Sequence, residues 1–331
     1  MTLKVVGLEE HFVTDAVLAA WEALEPEWQD LSLAPSRDGR SGRLLADLGP
    51  ERIAAMDDVG VDVQVLSLST PGVQNLAPQQ AVALQTESND VLAECVRSRP
   101  DRFQGFATLA TPAPDRAASE LERAVTRLGL EGAMVFSRTR DRNLDHRDFW
   151  PIFEAAEALN APLYLHPQSP PAAVRAAYYD GFGAATDAAF ATHGVGWHYD
   201  TGVQLLRMIV AGVFDRFPRL QVITGHWGEM VLFYLDRIDQ LGAAAKLPRK
   251  PSEYLRTNVS VTPSGVLSQR YLRWAVEVLG VSRIMAATDH PFVPLSSGSA
   301  RRFLDESDLT EVERQMVGSG NWERLRADIR R

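Results

Sequence analysis

A chain of 331 residues with 45% hydrophobic content can bury a large core, at a size where one barrel is as natural as two smaller domains. Its formal net charge of −9 repels polyanions, and no basic run offers a track for phosphates, so nucleic acid is not an expected partner. No stretch is apolar enough to suggest a membrane span, the opening apolar run meets Glu9 and Glu10 too soon for a secretion signal, and the single Cys95 permits no internal disulfide; a cytoplasmic setting is expected.

Short β-branched runs alternate with longer helical patterns. Strands are expected at Lys4–Leu8, Val61–Ser69, Phe103–Leu109, Gly132–Phe136, Pro162–Leu165, Leu220–Thr224, Asn258–Val261 and Ile284–Ala287. Between them the 3.6-residue period predicts helices at Pro78–Arg97, Arg116–Leu128, Phe149–Leu159, Gly202–Phe214, Glu229–Leu241 and Gln269–Leu279. Eight strands in this alternation predict an α/β fold, a single (β/α)8 barrel of the TIM type over residues 1–331. Two stretches break the rhythm, about 14–50 and 168–196, and are expected as long loops after strands 1 and 5, where they would cover an active site or an oligomer contact. Cys95 falls inside a helical pattern and reads as a small buried hydrophobe.

Catalytic groups of such a barrel gather at the C-terminal ends of its strands. The first strand runs into Glu9-Glu10-His11, the fifth into His166-Pro167, the sixth into Gly225-His226-Trp227-Gly228-Glu229 and the eighth into Thr288-Asp289-His290-Pro291. Side chains alternate along a strand, so Glu9 and His11 share a face and Glu10 takes the other. With His166 and Asp289 they make two nitrogen and two oxygen donors, a set suited to one divalent ion, Zn2+ or Mn2+, with a position open for substrate. A lone histidine after an apolar strand is more often structural; four such groups at the right strand ends point to a metal site. His146, His193 and His198 lack that setting and are expected in surface or loop roles, although Trp197-His198-Tyr199-Asp200 opens a helix near the mouth. Glu229, three residues beyond His226, can fix that ring's tautomer. Arg237, two turns further, is either half of a helix-surface ion pair or a group for a substrate carboxylate or phenolate.

These residues and their flanks resemble the decarboxylase branch of the amidohydrolase superfamily, the group of γ-resorcylate (2,6-dihydroxybenzoate) decarboxylase and its relatives. The likeness runs through Leu8-Glu9-Glu10-His11-Phe12, Asp62–Leu68, Pro71-Gly72-Val73-Gln74, Asn89-Asp90, Arg99–Phe103, Tyr164-Leu165-His166-Pro167, Gly212–Asp215, Gly225–Glu229 and Gly320-Asn321. The resemblance implies that Glu9, His11, His166 and Asp289 bind the metal. It places His226, Glu229 and Arg237 at substrate-contacting, acid–base and supporting positions, with Phe12 and Pro71 as further substrate contacts. Many superfamily members hold two metals through a carbamylated lysine ending strand 4; that strand here ends Val135-Phe136-Ser137 and Lys4, Lys246 and Lys250 lie elsewhere in the sequence, so one metal is expected. Two positions depart from the branch: His290-Pro291-Phe292-Val293 lacks a usual glutamate, and Asp200-Thr201…Gln204 replaces Glu-Thr…His.

The implied reaction is non-oxidative decarboxylation of a small hydroxylated aromatic carboxylic acid, without an organic cofactor. Asp289 would protonate the carboxylated ring carbon and His226, oriented by Glu229, would stabilise the phenolate. Homodimers or homotetramers are usual in that branch. Metal ligands alone do not distinguish this from hydrolysis or hydration of a lactone, amide or enol acid on the same scaffold, whereas the complete ligand set argues against a barrel that binds ligand without turnover.

Overall fold

The structure, a computed structural model, describes residues 3–331. The barrel strands are β1 (Val6–Phe12), β2 (Val63–Leu68), β3 (103–108), β4 (Ala133–Phe136), β5 (Leu163–His166), β6 (Val222–Thr224), β7 (Val259–Val261) and β8 (284–290). β3 consists of two runs interrupted at Phe106; Phe103–Gly105 pairs with β2 and Ala107–Thr108 with β4, all in parallel. β4 to β7 continue the parallel ladder in order. β8 has no long regular pairing, but it closes the ring: Met285 N donates to Val261 O at 3.0 Å, Leu8 N to Ala286 O at 3.0 Å, and His11 N to His290 O at 2.7 Å. The expected eight-stranded α/β barrel is therefore present.

The alternation that predicted the strands also sorts the core. Val6, Leu8, Val63, Val65, Phe106, Met134, Phe136, Tyr164, Ile223 and Met285 fill the barrel, and Trp322 of the C-terminal helix joins them while donating to Gln104 Oε1 at 2.7 Å. Their neighbours along each strand, such as Leu66, Leu68, Leu163 and Leu165, face outward into the layer shared with the helices. The helices Pro78–Ser98 and Pro114–Thr126 both begin at a proline, whose missing N–H costs nothing in a first turn. Gln269–Leu279 is capped by Ser268, whose hydroxyl accepts from Tyr271 N. Cys95 lies in the first of these, half-buried near Leu48 O, and burial pushes its thiol pKa up to about 11.

The two stretches expected as loops are not structureless. Residues 14–50 hold helices Asp15–Glu22, Leu33–Arg37 and Gly39–Ala46, and residues 168–196 hold Ala172–Tyr178 and Ala184–Ala189. Each is at most eight residues long, too short to show a sustained apolar stripe in sequence. The loops after β1, β2 and β5 are tied together. Ser169 N and Oγ donate to the buried Asp30 at 2.8 Å each, Ser32 Oγ to Thr70 O at 2.9 Å, and Thr70 Oγ1 to Pro167 O at 2.8 Å.

The expected helix Glu229–Leu241 is also corrected. It is broken into a turn at His226–Glu229, a 3-10 segment Val231–Tyr234 and short helices Leu235–Ile238 and Gln240–Ala244. The cause is local: His226, Trp227, Gly228, Glu229 and Met230 all have positive φ, and a right-handed helix cannot start through them.

Candidate active site and metal centre

β1 brings Glu9 and His11 to one face by an irregularity. Its pairing with β2 passes from Gly7↔Gln64 to Glu10↔Leu66, three residues against two, which is a β-bulge. Val6 and Leu8 point into the barrel, and simple alternation would send Glu10 and Phe12 there next; the extra residue switches the parity so that Glu9 and His11 line the interior instead. The same inward row carries Tyr164 and His166 on β5 and leads from Met285 to Asp289 on β8. From β6, Ile223 points inward and the next inward position is Gly225. A Cβ there would lie 2.5 Å from Glu9 Oε2, so the close approach of the carboxylate demands glycine.

The donor atoms of Glu9, His11, His166 and Asp289 all lie within 4.8 Å of one another. Glu9 Oε1 stands 3.0 Å from His166 Nε2 and 3.9 Å from His11 Nε2, which is 3.4 Å from Asp289 Oδ1. His166 Nδ1 donates to Pro167 O at 2.7 Å, which leaves Nε2 as the inward lone pair. Tyr164 and Ser264 hydroxyls both donate to Glu9 Oε2 and fix the carboxylate, and Thr262 Oγ1 lies 2.7 Å from Tyr164 OH.

Burial disfavours the Glu9 anion, but the surrounding His226, His166 and His11 outweigh it and hold its pKa well below the carboxylate range. Burial lowers the His11 pKa, keeping a neutral ligand-competent ring, with Asp289 opposing the shift. Glu9 Oε1 and both His11 nitrogens are buried without a hydrogen-bond partner. Orphaned interior atoms cost about 1–3 kcal/mol each, and a divalent cation among these two imidazoles and two carboxylates would satisfy Glu9 Oε1 and the His11 Nε2 that faces it. The residues fit one such ion.

Beside the cluster, His226 Nδ1 meets Glu229 Oε1 at 2.8 Å and its Nε2 lies 3.9 Å from both Glu9 Oε1 and Asp289 Oδ2. Burial works against the imidazolium of His226, but Glu229, Glu9 and Asp289 together raise its pKa well above the usual value. Glu229 is pushed upward by burial and brought below its ordinary value by His226 and His198. His198 is the residue that sequence reasoning placed outside the site. Its Nδ1 meets Glu229 Oε2 at 2.8 Å, its Nε2 donates toward His193 O at 3.2 Å, and its ring centroid is 4.4 Å from that of His226. Only its position at the start of helix Gly196–Val210 hinted at this. Tyr164 was legible as the inward residue two before His166; Ser264 had no local signal.

The remaining expected site residues separate. Phe12, expected to touch substrate, faces outward and packs in the layer between barrel and helices, away from the cluster. Pro71 lies in a buried turn directly after β2, where Gln74 N donates to Pro71 O at 3.3 Å. Arg237 does not pair with Glu229, whose oxygens are occupied by two histidines; it is exposed on the wall of a cavity of about 1210 Å³ that His198, His226 and Glu229 also line. That cavity is otherwise mostly apolar, with Leu206, Leu232, Phe233 and Trp274 on its walls. At the departures from the branch pattern, Phe292 lies 5.6 Å from the His11 ring, and burial with Arg52 and Arg40 drives the His290 pKa down to about 3. Asp200 accepts from Ser137 Oγ at 2.9 Å and Gln204 Oε1 from Leu144 N at 3.2 Å, binding their helix to the loop after β4.

Comparison with known proteins agrees with this geometry. Residues 11–325 match the amidohydrolase family model. The chain is 34% identical over 336 residues to gamma-resorcylate decarboxylase of Polaromonas sp. (strain JS666 / ATCC BAA-500), with 97% of each chain covered. It superposes on 5-carboxyvanillate decarboxylase LigW from Sphingomonas paucimobilis with a TM-score of 0.89 at 34% identity, covering 98% of this chain and 99% of that one. A dihydroxybenzoic acid decarboxylase from Polaromonas sp. JS666, solved with manganese and the inhibitor 2-nitroresorcinol, gives a TM-score of 0.84 at 32% identity, covering 98% and 97%.

Proposed function

The chain belongs to the amidohydrolase family, and from that premise we propose that it is a metal-dependent, non-oxidative decarboxylase of a hydroxylated aromatic carboxylic acid, a carboxy-lyase. The observation that carries this reading is the convergence of Glu9, His11, His166 and Asp289 on one point, with His226 beside them, in a chain similar from end to end to aromatic-acid decarboxylases.

Breaking an aryl–carboxylate bond requires a proton on the ring carbon before the carboxylate leaves, and protonation costs the ring its aromaticity. Glu9, His11, His166 and Asp289 would hold a divalent ion, which would supply charge neutralisation for the substrate's anionic groups. Asp289, reached by both His11 and His226, delivers the proton to the carboxylated carbon. The C–C bonding pair then returns to the ring as CO2 departs. His226, its Nδ1 held on the Glu229 carboxylate, donates from Nε2 to the ring oxygen as negative charge grows there. Glu229 orients His226, and His198 closes the other side of Glu229. Arg237 and Pro71 are proposed substrate contacts at the rim.

Mixed imidazole and carboxylate donors suit Mn2+ or Zn2+, and the manganese held by the Polaromonas enzyme favours Mn2+. We propose a homodimer or homotetramer, supported by exposed Phe233, Tyr234 and Trp274 beside the cavity. A cytoplasmic location is proposed as well; among the described residues no helix is long and apolar enough to cross a membrane. The deciding assay compares CO2 release from a panel of hydroxybenzoates with hydrolysis of lactones and amides by metal-loaded protein. Hydrolysis without CO2 release sinks the proposal in favour of the hydrolase reading.

A further inference from the structure

Glu10 points away from the ligand cluster, yet it is fully buried and its two oxygens meet three donors. Thr288 N donates to Oε1 at 2.8 Å, Thr288 Oγ1 to Oε2 at 2.6 Å, and Gln64 Nε2 to Oε2 at 3.0 Å. Thr288 immediately precedes Asp289, whose φ of +58° is a left-handed conformation that few residues other than glycine, asparagine and aspartate adopt. Here β8 has left its regular ladder, and the N–H of Thr288 has a carboxylate in place of a strand carbonyl. The network continues on the other side. Arg52, also fully buried, donates to Gln64 Oε1 at 3.2 Å, to the carbonyl of His11 at 2.6 Å and to Leu44 O at 3.1 Å. A buried polar chain from Arg52 through Gln64 and Glu10 to Thr288 therefore grips the backbone of both strands whose ends carry β1 and β8 ligands.

We propose that Glu10 is a positioning residue of the reaction: by clamping Thr288 it holds Asp289 at the angle from which it both binds the ion and protonates the substrate. Chemistry explains why position 10 carries a carboxyl group. Each of its oxygens accepts from a nitrogen, Oε1 from Thr288 N and Oε2 from Gln64 Nε2, so the amide nitrogen of a glutamine would face a donor in either orientation. The proposal rests on the decarboxylase reading for its consequence in turnover, and on the bonds themselves for its consequence at the metal.

The test uses the manganese-loaded full chain and the hydroxybenzoate that the wild type turns over best. Supporting partners of metal ligands change affinity or activity by about 10- to 100-fold when altered, so Glu10→Gln should lower kcat by about that factor, with KM within about threefold and bound manganese retained. The electron paramagnetic resonance spectrum of the bound Mn2+ should change, because Asp289 shifts. The exchanged pair Glu10→Gln with Gln64→Glu puts a carboxylate back between Arg52 and residue 10 and should recover most of the lost kcat. Thr288→Val, which removes only the hydroxyl, should give a smaller loss of the same kind, and it alone decides the matter if Glu10→Gln does not fold. Unchanged kcat in the folded variants, a loss matched by lost manganese, or no recovery in the exchanged pair overturns the proposal. If the wild type releases no CO2, the decarboxylase reading fails, and the clamp then stands or falls on the Mn2+ spectrum of Glu10→Gln.

Discussion

Replacing Glu229 by glutamine tests the electrostatic half of the mechanism. The carboxylate sits 2.8 Å from His226 Nδ1 and 2.8 Å from His198 Nδ1, buried away from solvent. An amide can accept from one ring only and turns a donor toward the other, and it carries no charge. A unit charge pair about 4 Å apart is worth about 4 kcal/mol at an effective dielectric constant of about 20. Part of that returns through the amide's remaining hydrogen bond, which leaves a loss of about 2–4 kcal/mol. At about 1.4 kcal/mol per factor of ten, kcat should fall by about 30- to 1,000-fold if His226 donates to the developing ring oxygen. The pH profile carries the sharper signature. Glu229 raises the His226 pKa, so its removal lowers it, and the protonated ring is then lost at a lower pH; the basic limb of kcat must move toward acid. Substrate loss followed by ultraviolet absorbance between pH 5 and 9, a range spanning the ordinary imidazole pKa of about 6.5, reads both effects. A kcat within about threefold of wild type, or a basic limb that does not move, refutes the assignment of His226.

Asp289→Asn should lose about 10²- to 10⁴-fold in kcat, the contribution of a positioned general acid; if the variant keeps its metal and most of its turnover, Asp289 is not the proton donor. Dialysis against a chelator should abolish activity and lower Tm, since an ion at a hundredfold excess over its Kd stabilises the fold by about 2.7 kcal/mol; elemental analysis should then find one ion per chain on reconstitution. Tyr164→Phe removes one of the two hydroxyls that hold Glu9 Oε2 and should weaken metal binding by about tenfold, read by competition with a chelating dye. Cys95, with its thiol pKa near 11, should react slowly with a thiol reagent at pH 8 in the folded protein and quickly after unfolding, and a fast native reaction would contradict its burial.

Much of the cluster's geometry is legible in the sequence. The row His166-Pro167 is legible because β5 is a regular strand, so period two alone places Tyr164 and His166 on one face. The same rule puts Glu9 and His11 on one face, since their spacing within the strand is unaffected by what lies before them. The alternation of apolar runs also set the strand count and the order in which ligands arrive at the mouth.

Which face those pairs occupy was another matter. The bulge between Gly7 and Glu10 turned Glu9 and His11 inward and Phe12 outward, and a bulge is decided by pairing with β2, not by local composition. The helix expected at Glu229–Leu241 failed because the left-handed run from His226 to Met230 is held by distant contacts: Trp227 N on Thr262 O at 2.9 Å and His226 N on Ser264 Oγ at 3.1 Å. The grip of Tyr164 and Ser264 on Glu9 joins residues 155 and 255 positions apart, and that of His198 on Glu229 joins residues 31 apart. By itself the sequence determined residue types, periods and strand ends, because those are local properties of the chain. Only the tertiary structure decided parity, strain and partnership around the cluster, because each depends on which far-off groups the closed barrel brings within a few ångströms.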